Sequence, residues 1–264
     1  MDGEVQVLKL GGSLLTDKAA DLPTFFYQNA FRIAKEIASL SEFPVLVHGT
    51  GSFGKPAARQ YGYMEGFLSR KRLHVVSAVS QILETLRCHV LDVFRKEGVP
   101  AVGLSAGSLF KMADGVIVAC HGDPVLGFVR RGMLPVISGD FVLDDRRDFA
   151  VCSSDLMASQ LAIALKARRL VFATDVSGVL GPEGQSGGVL SAVSENDEDL
   201  WKAACSGHDD ITQSMKGKLR AGFQAANRGV ETVIVDGRIP GRICDILSNK
   251  PTISTRLLPA ALRH

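Results

Sequence analysis

A short apolar strand that runs straight into a pair of glycines is the feature that most restricts how this chain can fold. Val5, Val7, Leu8 and Leu10 read as a buried strand, and Gly11 and Gly12 follow at once. Two glycines let the backbone turn tightly enough for its N–H groups to face an anion. Lysines bracket the turn, Lys9 before it and Lys18 after it. A lysine within an apolar strand is costly unless something negative meets it, so Lys9 either snorkels at the strand end or is aimed at a ligand. The spacing is not that of a Walker A loop, which needs Gly-x-x-x-x-Gly-Lys-Ser/Thr.

The motif has a counterpart downstream. Pro44 to Val47 reads as the next buried strand and leads into His48-Gly-Thr-Gly-Ser-Phe-Gly-Lys55. In an open α/β sheet, ligands bind outside the carboxyl ends of the strands, so the two loops are expected to face each other across one cleft. Between them, Thr24 to Leu40 shows helical spacing, with Phe25, Phe26, Ala30, Ile33, Ala34 and Ile37 as its apolar positions.

The alternation continues. Ser69 to Glu97 carries a long apolar stripe (Leu73, Val76, Ile82, Leu83, Leu86, Val90, Phe94) closed by Gly98-Val-Pro100. Such a stripe packs a core, lines an acceptor pocket or seams a dimer. Ala101 to Leu104 reads as a strand, and Asp114 to Val142 as inserted hairpins ending in Pro135-Val-Ile-Ser-Gly-Asp140. Ser153, Ser154 and Asp155 are good caps for a helix reaching Leu165. Arg169 to Ala173 is a strand closed by Thr174-Asp-Val-Ser-Gly-Val179, and Gly181 to Gly188 reads as a turn or loop. Helices are expected over Asp197 to Ala204, Met215 to Asn227 and Gly241 to Leu247, and strands over Glu231 to Val235 and Thr252 to Leu257. A parallel sheet covered on both faces accommodates this order. A soft boundary near Ala150 separates residues 1–150 from 151–264 within one continuous domain.

Composition narrows the function classes. The 264 residues are 46% hydrophobic and 22% charged, ordinary for a soluble globular protein. A formal net charge of +2, with no basic run interleaved with aromatics, argues for a small ligand over nucleic acid or a membrane surface. Five scattered cysteines without a Cys-x-x-Cys pair fit free thiols in a reducing compartment. No signal-peptide pattern or membrane-length apolar run is present, so the expected location is the cytoplasm.

Six blocks, taken in order, carry a resemblance. Lys9-Leu-Gly-Gly-Ser13 with Lys18, His48-Gly-Thr-Gly-Ser-Phe-Gly54, Ser138-Gly-Asp140, Ser154-Asp155, Thr174-Asp-Val-Ser-Gly-Val179 and Asp210-Ile-Thr-Gln-Ser-Met-Lys-Gly-Lys218 together resemble the amino acid kinase superfamily, nearest its isopentenyl phosphate kinase and fosfomycin kinase branch. The resemblance implies a three-layer αβα sandwich with a mostly parallel central sheet, ATP with Mg²⁺, a small anionic phosphate or phosphonate acceptor over the first half, nucleotide over the second, and a homodimer. It implies that Lys9, Lys18 and Lys218 meet the transferred phosphoryl group and that Asp155 holds the lysines by ion pairs. Gly11, Gly12 and Ser13 would contact the ATP phosphates, with Thr50, Thr174 and Ser214 on the same ligand and Asp175, Gly178 and Val179 on the adenosine side. Gly49, Gly51, Gly54, Lys55 and Ser154 would hold the acceptor. No protein side chain is implied as a metal ligand.

The chemistry is coherent, because an acceptor that is already an oxyanion needs no general base and charge stabilisation carries the reaction. His48 accordingly reads as packing. Five positions depart from the family pattern. Lys55 stands where the branch has a histidine that hydrogen-bonds the acceptor, exchanging a titrating planar donor for a permanent charge. Thr50 and Ser154 each replace a glycine, and Gln213-Ser214 replaces a glycine pair. The expected activity is transfer of the γ-phosphoryl group of ATP to a phosphate monoester, isopentenyl phosphate first. A phosphonate kinase and a non-catalytic nucleotide-binding protein are the alternatives.

Overall fold

The computed structural model describes residues 5–17, 20, 22–63, 65–181, 184–197, 201 and 210–260. Its spine is an eight-stranded sheet. From one edge to the other it comprises Ala192–Ser194, Ser254–Leu258, Glu231–Asp236, Arg169–Thr174, Gln6–Leu10, Val45–His48, Leu134–Ser138 and Ala101–Leu104. Six of these strands are parallel, and the pair Ala192–Ser194 and Ser254–Leu258 runs the other way. The central strand Gln6–Leu10, here β1, has Arg169–Thr174 on one side and Val45–His48 on the other. Lys9 therefore stands between Phe172 and Val47.

Side-chain alternation along β1 separates the two faces. Leu8 and Leu10 pack into a cluster with Leu46, Ile33, Ile37, Val90, Phe94 and Ile243, which come from the sheet and from the helices Tyr27–Ala38, Leu73–Lys96 and Arg242–Leu247. Val7 joins the opposite cluster with Val47, Met157, Leu161, Phe172 and Phe223, beneath the helices Ser154–Ala164 and Asp210–Ala226. These are the three layers expected. Lys9 shares the Val7 face, so it points toward the two helices that carry Asp155 and Lys218.

A second sheet of five strands lies beside the first, in the order Phe67–Leu68, Asp148–Cys152, Asp140–Asp144, Phe110–Ala113, Val116–Cys120. The buried carboxylate of Asp144 ties its turns together by accepting from the backbone N–H groups of Asp114, Gly115, Arg146 and Arg147, at 2.9–3.0 Å.

Several elements differ from the sequence reading. The helix expected from Thr24 begins at Tyr27, because Phe25 pairs with Thr16 in an isolated bridge and Phe26 is exposed. The long helix begins at Leu73 after a 3₁₀ turn, and its buried stripe runs through Val75, Val79, Leu83, Leu86, Val90 and Phe94. Leu73, assigned to that stripe, is exposed. Asp114 to Val142 is hairpin only in part: Val116–Cys120 pairs antiparallel with Phe110–Ala113 beside the main sheet. The stretch also contains the helix Asp123–Val129, started by Pro124, and Leu134–Ser138 belongs to the main sheet. Gly181 to Gly188 is no loop either, since Leu180–Gly181 pairs antiparallel with Gly184–Val189. Most of Asp197 to Ala204 lies outside the described residues. Ala150 falls inside the strand Asp148–Cys152, while in the main sheet the four strands from residues 1–150 lie side by side and the four from residues 151–264 form the other half.

Candidate active site

Two glycine loops interlock at the strand ends. Each continues the ladder by one bond, Gly11 N–H donating to Ala173 O and Gly49 N–H to Leu10 O, both at 2.9 Å. Beyond that point the backbones touch. A Cβ on Gly12 would lie 2.5 Å from the amide nitrogen of Gly51, and one on Gly49 would lie 2.7 Å from that of Gly12. Gly51 also has φ +47°, so glycine is required there on conformational and steric grounds.

Three charged side chains meet above these loops. Lys9 comes from β1, Asp155 from the first turn of the helix Ser154–Ala164, and Lys218 from the helix Asp210–Ala226. Ser153 caps the middle helix, its Oγ accepting from Leu156 N–H at 3.3 Å, which fixes where Asp155 enters. Oδ1 of Asp155 lies 2.8 Å from Nζ of Lys9 and 3.1 Å from Nζ of Lys218. Both lysines are about 5% exposed or less, and the Lys218 ammonium stands 5.2 Å above the ring of Phe172.

The charges shift one another. Burial pushes the Asp155 carboxyl up, but the two ammonium groups outweigh it and hold it well below the usual carboxylate range. Lys218 is lowered to about 8, by burial first and then by the charge of Lys9, against the pull of Asp155. Two cations sharing one carboxylate leave a net positive charge in a buried place, which is an anion site.

That charge opens into a cavity of about 310 Å³. Lys9, Gly11, Gly12, Ser13, Gly49, Thr50, Gly51, Lys55, Ser154, Asp155, Thr174, Asp175 and Lys218 line it. The structure thus brings most of the residues singled out in the sequence to one place. Gly54 does not line this cavity; it lines a neighbouring one. Gly178 and Val179 line neither. Gly178 (φ +145°) packs where a Cβ would strike Val189 and Thr255, and Val179 is buried with its N–H on Thr255 Oγ1. Lys18 lies outside the described residues, and so does the side chain of Ser214.

The neighbouring cavity, of about 300 Å³, is largely apolar. Ala58, Tyr63, Val79, Leu83, Phe141 and Val151 form its walls, with Gly54 and Asp140 at its margin. Thr50, Lys55 and Ser154 line both cavities and so mark where the two meet. The sequence reading named none of the six wall residues as site residues. Its one signal was the long helical stripe, whose Leu83, one turn after Val79, turns into this pocket.

His48 lines neither cavity. It is fully buried, with Nδ1 against Gly49 O at 3.1 Å. Burial lowers its pKa to about 4, so at neutral pH it is an uncharged packing residue. Among the described residues no cluster of three or more His, Cys, Asp or Glu is placed to hold a metal ion. Among the described residues no helix is long and apolar enough to cross a membrane, and Cys88, Cys120, Cys152 and Cys244 are free thiols.

Comparison with known proteins places the geometry. The amino acid kinase family profile matches residues 4–236. The isopentenyl phosphate kinase of Methanothermobacter thermautotrophicus is 33% identical over 260 residues, covering 95% of this chain and 98% of the relative. That of Thermoplasma acidophilum is 27% identical, covering 92% and 96%. A solved isopentenyl phosphate kinase structure superposes with a TM-score of 0.81 at 29% identity, covering 96% of this chain and 99% of its own. The acetylglutamate kinase of Dinoroseobacter shibae is 28% identical, covering 90% and 84%.

Proposed function

Since this chain belongs to the amino acid kinase family, we propose that it transfers the γ-phosphoryl group of ATP to isopentenyl phosphate, forming isopentenyl diphosphate and ADP. The observation that carries this reading is the pair of joined cavities. One is built from glycine backbone and lysines, the other from apolar side chains, and Lys55 stands at their junction. A phosphorylated hydrocarbon has this same division of polarity.

In the proposed reaction an oxygen of the acceptor phosphate forms a bond to the γ-phosphorus as the bond to the β,γ-bridging oxygen breaks. Both partners are polyanions, so the chain must hold them close and spread the charge. Lys9 and Lys218 do this at the γ-phosphate, and Asp155 keeps the two ammonium groups from separating. Lys18 belongs to the same role. Gly11, Gly12 and Ser13 offer N–H groups to the nucleotide phosphates, with Thr174, Asp175 and Ser214 on that side and Gly178 and Val179 following in the same loop. Gly49, Gly51, Gly54, Ser154 and Lys55 receive the acceptor phosphate, and Thr50 separates the two anions. The acceptor thus lies over residues 1–150 and the nucleotide mainly over 151–264.

Mg²⁺ fits the residues present as an ion carried on the ATP phosphates, because magnesium keeps several waters and needs one or two carboxylates at most. It would neutralise developing charge on the phosphates. A homodimer in the cytoplasm completes the proposal.

An acceptor panel tests it. Isopentenyl phosphate, dimethylallyl phosphate, fosfomycin and simple hydroxyalkyl phosphonates are each offered with Mg-ATP, and ADP release is followed. The prenyl phosphates are expected to turn over and the phosphonates to lag. Turnover confined to phosphonates would replace the acceptor, and nucleotide binding without transfer to any of them would leave a binding protein.

A further inference from the structure

Thr16 has no part in the roles above, yet it is fully buried and its hydroxyl is used twice. Oγ1 donates to the carbonyl of Gly12 at 2.8 Å and accepts from the backbone N–H of Ser52 at 3.0 Å. Gly12 lies in the loop on the nucleotide side, and Ser52 directly follows Gly51 in the loop on the acceptor side. The fit is tight, since a Cβ on Gly51 would fall 1.7 Å from Thr16 Oγ1. A third segment closes on the same point. The Oγ of Ser52 accepts from Thr24 N–H at 3.1 Å, and Thr16 pairs with Phe25.

We propose that Thr16 is a positioning residue, a latch that fixes the nucleotide loop against the acceptor loop so that the two anions are held in reacting range. The sheet joins the loops only at their roots, through Gly49 N–H on Leu10 O. Past that bond the loops carry bound anions that repel each other. A hydroxyl that bonds both backbones opposes that separation, and small losses of register between reacting groups are expensive in rate. This inference rests on the phosphoryl-transfer reading of the site. It adds that a hydroxyl lining neither cavity ties the two loops together beyond their roots.

Thr16→Val keeps the shape and removes both bonds, whereas Thr16→Ser keeps the hydroxyl. With isopentenyl phosphate as acceptor, kcat of the valine variant is expected to fall about 10- to 100-fold, with each KM within about threefold of the parent, because each loop still binds its own anion. The serine variant is expected to recover most of the rate. Parent-like kcat in the valine variant, or equal loss in valine and serine, overturns the latch. Hydrogen exchange judges it without any acceptor. The non-hydrolysable analogue AMP-PNP is expected to protect peptides spanning 11–16 and 49–54 together in the parent, and only 11–16 in the valine variant. Equal protection of 49–54 in both proteins overturns the latch. A parent that fails on every acceptor yet shows the expected exchange pattern removes the kinase reading and keeps the latch.

Discussion

Lys9 and Lys218 reach the same oxygen of Asp155, at 2.8 and 3.1 Å, from a strand and a helix separated by most of the chain. The carboxylate is the counter-charge that lets two ammonium groups stay buried side by side before any anion arrives.

Replacing Asp155 by asparagine keeps the shape and removes that charge. Breaking a buried ionic set by deleting one partner commonly costs about 3–5 kcal/mol, because the remaining charges are left uncompensated. Asp155→Asn is therefore expected to lower the melting temperature markedly in ligand-free buffer. ATP or pyrophosphate should restore more of that loss in the variant than it adds to the parent. Parallel thermal melts with and without pyrophosphate read this directly, and equal shifts in both proteins would contradict the assignment.

Lys218 gives the pH dependence. Its pKa is lowered to about 8 in the free protein, by burial and by Lys9. The protonated form is the one that binds phosphate, so kcat/KM for ATP should fall as pH rises through about 8, by tenfold per unit beyond it. Below that pH the profile should be flat down to where the acceptor itself protonates. Lys218→Ala should lose about 10²-fold or more in kcat, as should Lys9→Ala, and Lys218→Ala should lose the limb near pH 8 with it. A wild-type profile flat to pH 10 would exclude Lys218 from phosphate contact.

The strand and glycine pattern around Lys9 was legible because it is local, an apolar run and a turn within a dozen residues. Asp155 and Lys218 were not legible that way. Nothing within their own segments says that they meet, and only the resemblance joined them. The apolar cavity was hidden for a related reason. Tyr63, Val79, Phe141 and Val151 come from segments far apart, and each looks like an ordinary core residue until the fold leaves a space between them. The hairpin at Leu180–Val189 is rich in glycine and has little strand preference, so pairing rather than propensity makes it a strand. The helix Asp123–Val129 is too short to show a helical period among the apolar runs around it, and its one local signal is Pro124, well suited to a first helical turn.

Lys55 should set how acceptor affinity responds to pH. A histidine at this position would lose its charge above roughly pH 6.5. Lys55→Ala is expected to raise KM for the acceptor by about 10-fold, with KM for ATP little changed, as removal of one charge-assisted contact would do. Lys55→His should recover part of that affinity at pH 6 and lose it again at pH 8. A KM that ignores all three side chains would place the acceptor phosphate elsewhere.

Val79 offers the sharpest test of what fills the apolar cavity. It is buried on the long helix and forms part of the cavity wall, one turn before Leu83. Each buried methylene is worth about 0.8 kcal/mol, so a five-carbon tail gains about 4 kcal/mol from the pocket. Phenylalanine at 79 would fill roughly half of that space and remove about 2 kcal/mol, which is about a 30-fold rise in KM for isopentenyl phosphate. Methyl phosphate, whose carbon does not reach past Lys55, should be a poor acceptor for parent and variant alike, with unchanged KM. Comparing the two acceptors in one preparation separates tail exclusion from general damage, since overpacking that disturbed the fold would impair both. If Val79→Phe leaves isopentenyl phosphate untouched, the hydrocarbon lies outside this cavity and the acceptor must enter from another side of Lys55.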